Sequence, residues 1–152
     1  MTTDREILLS AEAKARQMLT ASASNAAGLL ARSDEDAAAD LIREQEFAAQ
    51  LLLQESAQAI EAARDIDGST QGLSDAEVNE YREQTRLEAE ALRIAHKRTA
   101  SELAKVEKAL AARVGEAMAA AAVDILMDGH RAAAAILLEA RMRVADKRTE
   151  TS

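Results

Sequence analysis

The chain has 152 residues, close to the size of one domain, and its 48% hydrophobic and 30% charged residues exclude intrinsic disorder. It holds 37 alanines, one Phe, one Tyr and no Trp, Pro or Cys; half-buried sheets need β-branched and aromatic side chains, so sheet-rich folds are excluded as well. Without cysteine there are no disulfides, thiol catalysis or thiolate metal sites, and a net charge of -8 works against binding nucleic acid or anionic membrane through a general field.

The opening Met1-Thr2-Thr3-Asp4-Arg5-Glu6 has no apolar signal core, and the longest uncharged stretch, 17–31, is interrupted by Thr20, Ser22, Ser24 and Asn25. A cytoplasmic protein is expected. Thr3 stands three residues before Glu6, the spacing of a capping box, and predicts a first helix over 3–64. The densest turn signal follows, Asp65-Ile66-Asp67-Gly68-Ser69-Thr70-Gln71-Gly72, and predicts one reversal over 65–73. Ser74 and Glu77 form a second capping box, starting a helix over 74–148. Arg141, Arg143, Lys147 and Arg148 suit its C-terminal dipole, and residues 149–152 are read as a frayed tail of this single helical domain.

An eleven-residue repeat sets the expected packing. Leu8, Leu19, Leu30, Leu41 and Leu52 recur at that interval, as do Ala15, Ala26, Ala37, Ala48 and Ala59. Leu92, Leu103, Val114, Ile125 and Ile136 follow the same period in the second half. Eleven residues in three turns drift into a nearly straight or right-handed supercoil. The expectation is therefore an all-α protein: a long antiparallel two-helix hairpin that pairs into a four-helix bundle. Reversal near residue 70 makes the numbers of facing residues sum to roughly 140, which sets Leu41 against Ala100, Leu30 against Ala111, Leu19 against Ala122, Ala48 against Leu92 and Ala37 against Leu103. The same register brings Arg16 near Asp124, Glu35 near Lys105, Glu46 near Arg93 and Glu55 near Arg86.

A competing arrangement breaks both rods, near Gly28 with its following Ser33-Asp34-Glu35-Asp36, and near Gly115, giving a compact four-helix bundle. The repeat phase runs through both sites, which favours unbroken rods.

Two rods leave apolar residues uncovered. Ile7, Leu9, Ile42, Leu53, Leu126, Met127, Leu137, Leu138 and Met142 are the candidate interface, for a second copy in a homodimer or for another helical protein.

Catalytic constellations are missing. Arg93 and Met127 stand where a di-iron bundle needs Glu, three residues before His96 and His130. His96 is expected at the surface near Glu44, and His130, beside Arg131, in solvent. Asp124, Asp128 and Glu12 read as a charged helix face rather than a cation site. No serine has a histidine nearby in sequence, no phosphate-cradling loop follows Gly68 or Gly72, and Glu102 and Glu107 neutralise the basic run His96-Lys97-Arg98. No cofactor, metal or nucleic acid is expected.

The segment Glu6-Ile7-Leu8-Leu9-Ser10-Ala11-Glu12-Ala13-Lys14-Ala15-Arg16-Gln17-Met18-Leu19 resembles the right-handed helical stalk subunits of rotary ATPases, which place Ala-rich turns between Leu pairs. That resemblance covers the first helix and implies a structural role; the membrane-spanning and globular parts of such subunits have no counterpart here. In outline the chain is also similar to two-helix export-apparatus adaptors. The functional expectation is a non-enzymatic structural or adaptor protein acting through helix–helix association. The alternative is an amphipathic coat on a lipid or granule surface, which would prefer bulky Leu, Phe or Trp flanked by Lys and Arg.

Overall fold

A computed structural model describes residues 2–63 and 74–149. Four helices follow one another: α1 (Asp4–Ala31), α2 (Glu35–Ala62), α3 (Asp75–Val114) and α4 (Glu116–Thr149). Among the described residues there is no strand-built sheet, and no helix is long and apolar enough to cross a membrane. The fold is all-α and a four-helix bundle, and of the two expected arrangements the compact one is found. The reversal expected over 65–73 and the end of the tail lie outside the described residues.

Both predicted capping boxes form. The Thr3 hydroxyl accepts from the Glu6 amide at 3.1 Å, and the Ser74 hydroxyl accepts from the Glu77 amide at 3.2 Å, with each glutamate reaching back to the cap amide.

The rods expected over 3–64 and 74–148 are each interrupted. α1 passes through Gly28 without a break and ends three residues later, where the Ser33 and Asp34 amides both donate to the Leu30 carbonyl. Asp34 then caps α2, its carboxylate accepting from the Ala37 amide at 2.9 Å. The second interruption is one residue long. Gly115, at φ 91 and ψ 157, occupies backbone space essentially restricted to glycine, and it turns α3 directly into α4.

Successive helices run antiparallel around the bundle in the order α1, α2, α3, α4 and back to α1. Thr99 against Ala48, Arg113 against Asp34, Ser33 against Met118 and Ser22 against Gly129 set facing numbers that sum to 147–151, not 140. The shift approaches one whole repeat. A lattice of leucines and alanines spaced by eleven matches itself equally well one repeat along, so large-against-small pairing alone could not choose between the two registers. Leu19 accordingly shares its core cluster with Ala133 rather than Ala122, and Ala48 lies with Leu103 rather than Leu92.

The expected interhelical charge pairs do not form either. Arg16 pairs with Glu12, Lys105 with Glu102, Arg93 with Glu90 and Arg86 with Glu83, each three or four residues away on its own helix. Local pairs are geometrically preset, so less side-chain ordering opposes them. Between helices, Arg113 reaches Asp40 at 2.6 Å and Asp34 at 3.4 Å, joining the end of α3 to the start of α2.

The core divides in two. One cluster, around Leu8, Leu19, Leu52, Leu92 and Leu137, fills the end holding the chain start; the other, around Leu30, Leu41, Leu103, Leu110 and Leu126, fills the end holding the two interruptions.

Candidate functional site: a polar layer and two grooves beside α2

Between the two clusters each helix contributes a polar or minimal side chain. Ser22 of α1, Gln45 of α2, Thr99 of α3 and His130 of α4 are all buried. Such groups need partners, because an unmatched buried polar atom carries its full desolvation penalty. Ser22 Oγ donates to the Leu19 carbonyl at 3.0 Å, and Gln45 Nε2 donates across to that same carbonyl at 3.4 Å. Thr99 Oγ1 lies 2.9 Å from the Ala95 carbonyl and 3.2 Å from the Ala48 carbonyl, linking α3 to α2. Gly129 brings α4 against α1: a Cβ there would lie 2.2 Å from Ser22 Oγ.

His130 is the exception. It is fully buried, and neither ring nitrogen has a hydrogen-bond partner in the protein. Burial, and secondarily the charge of His96, pushes its pKa down to about 4. His96 from α3 is half-buried, its Nδ1 also without a partner, and burial followed by the charge of Arg131 lowers its pKa. Both expectations for the histidines are therefore corrected. His130 faces the core rather than solvent, and His96 neighbours His130 and Arg131 rather than Glu44.

The layer holds neutral imidazoles but does not assemble a metal centre. Among the described residues no group of three or more His, Asp or Glu is placed to hold an ion. Of the three carboxylates expected on one charged face, Glu12 pairs with Arg16 and Asp128 pairs with Arg131 at 3.0 Å.

A second buried polar group crosses the bundle diagonally. Arg141, read from the sequence as one of the cations that suit the C-terminal dipole, is 2% exposed; its guanidinium donates to the Glu55 carbonyl at 2.9 Å and the Leu137 carbonyl at 3.2 Å. Burial lowers its pKa, opposed by the carboxylates of Glu88 and Glu55.

The nine candidate interface residues are not brought together. Ile7, Leu126 and Leu137 fill the chain's own core, since the folded-back rods cover the faces reserved for a partner. Leu53, Met127 and Leu138 are half-buried against it, while Leu9, Ile42 and Met142 are exposed. Ile42 and Leu53 share a groove of about 540 Å³ between α1 and α2, floored by Leu19, Ala23, Ala27 and Ala49. On the other side of α2, a groove of about 790 Å³ is floored by Leu41, Val106 and Leu110. Phe47, the sole phenylalanine, lies on it 64% exposed.

Phe47 and the polar layer escaped the sequence reading. Phe47 belongs to neither Leu/Ala series. Part of the buried polar set does follow the repeat: Gln45 and Ser56, and Ala119, His130 and Arg141, are spaced by eleven and all buried. Extending the grid past its aliphatic members was the signal that would have found them. Compared with known protein families, curated proteins and solved structures, the chain matches none.

Proposed function

We propose that the protein is a non-enzymatic adaptor that receives an amphipathic helix of a partner protein along α2. The observation supporting this is the exposed Phe47 on an apolar-floored groove between α2 and α3. Its charged lining, Asp40, Glu44 and Glu102 with Arg43, Lys105 and Arg113, balances in sign on a chain of net charge -8. Apolar floors with a rim of both signs suit a helix laid into a groove, where hydrophobic anchors supply affinity and rim charges fix orientation. Lipid coating draws less support, because the eleven-residue stripe faces the core and is not free to meet a surface.

A photo-crosslinking phenylalanine analogue at position 47, with exposed Arg98 replaced in the same way as control, tests this in cells. The expected result is a discrete adduct at 47, absent at 98, whose linked peptide has helical apolar periodicity. Identical labelling at both positions, or flotation of the purified chain with anionic liposomes, would overturn the reading.

A further inference from the structure

We infer that the two interruptions are exchange hinges, through which the chain swaps halves with a second copy of itself. Both lie at one end of the bundle, and Ser33 Oγ against Met118 Sδ at 3.2 Å and Arg113 with Asp34 tie them together. The α3–α4 hinge is a single residue held where only glycine is comfortable, although a Cβ at Gly115 would meet nothing within 4 Å. The obstacle to an ordinary residue there is backbone strain, not space. Straightening relieves it. Arg32 in the other hinge is already helical at φ -64 and ψ -27, and the chain has no proline to stop a helix crossing either hinge.

The repeat supplies the second, independent observation. Ala26 and Leu30 before the first hinge are in phase with Ala37 and Leu41 after it, and all four belong to one core cluster. Leu103, Val114 and Ile125 keep phase across Gly115 and meet the same cluster. Continuous helices across both hinges would therefore keep one unbroken apolar stripe each.

In the straightened chain α1 stays paired with α4, and α2 with α3, while the faces joining α1 to α2 and α3 to α4 are uncovered. Those faces fit the matching faces of a second straightened copy, because they are the contacts the bundle already makes. The dimer rebuilds both core clusters twice, each from α1 and α4 of one copy and α2 and α3 of the other. Very short hinges favour such exchange, since closing back on itself strains the connection that an open chain relaxes. The exchange stands on the hinges and the existing core, and does not depend on the adaptor reading.

Gly115→Ala tests it by chromatography with light scattering and small-angle X-ray scattering. The expected species has twice the 16.3 kDa chain mass. Its longest dimension rises from roughly 60 Å to roughly 110 Å at ~1.5 Å per residue. Inserting Gly-Gly-Ser-Gly after Gly115 is expected to hold the chain monomeric at every concentration. A folded monomer of wild-type length in Gly115→Ala overturns the inference, as does loss of helicity there, which would show that the hinge cannot straighten. A doubled mass without elongation also overturns it, and points instead to surface association that leaves the adaptor reading standing.

Discussion

Gly129 of α4 lies so close to Ser22 of α1 that a methyl group at 129 would overlap the serine hydroxyl, at 2.2 Å. The contact fixes the separation of these two helices at the height of the polar layer. Gly129→Ala is expected to destabilise the bundle by roughly 1–3 kcal/mol through overpacking, despite the better helix propensity of alanine. Adding Ser22→Gly should recover a large part of the loss. Urea melts of the single and double variants measure both, and additive losses would show that the two positions do not share the contact.

Acid is expected to loosen the bundle through His130. Its pKa is depressed to about 4 in the folded chain, from the ordinary 6.5, so the unfolded state binds the proton first as pH falls. Stability from the neutral ring is whole above about 6.5 and declines toward 4, by as much as roughly 3 kcal/mol at ~1.4 kcal/mol per pH unit. His96 shifts in the same direction. His130→Leu should flatten the profile between pH 7 and 4.5 in denaturant melts. An unchanged slope would place the titration elsewhere.

Core and surface separate the apolar residues. Leu126→Ala is expected to cost about 2–5 kcal/mol, and Phe47→Ser to change stability by no more than about 0.5 kcal/mol. Thermal unfolding of the two variants checks the pair. A large loss at Phe47 would mean the groove beside α2 is part of the folding core.

Arg141 offers a buried charge whose replacement need not weaken the protein. Arg141→Met keeps the volume and removes the desolvation cost, and is expected to be neutral or mildly stabilising, whereas Arg141→Ala leaves a cavity and should cost about 2–5 kcal/mol. Equal losses would indicate that the bonds to the Glu55 and Leu137 carbonyls matter more than the charge.

Much of the architecture was legible in the residues. Thr3 with Glu6 and Ser74 with Glu77 mark two helix starts, because a cap is a local event decided within four residues. Gly115 and Ser33-Asp34 were visible as possible breaks, but the uninterrupted repeat argued for continuous rods; a bundle folded back on itself buries the same stripe and preserves the same phase. The register was not legible, since one repeat of slip leaves leucine against alanine. His130 was misplaced because its neighbour Arg131 suggested solvent, yet adjacent helix positions lie about 100° apart and face different surroundings. The groove beside α2 came from relative helix spacing, which no single helix encodes.

The aliphatic lattice looks the same when displaced by one period, like a ruler without numerals. Thr99 and the Ser22–Gly129 contact are the marks that do not recur, and they give the ruler its zero. A protein built this way tolerates lengthening or trimming of all four rods by whole periods, so long as the numbered mark is kept.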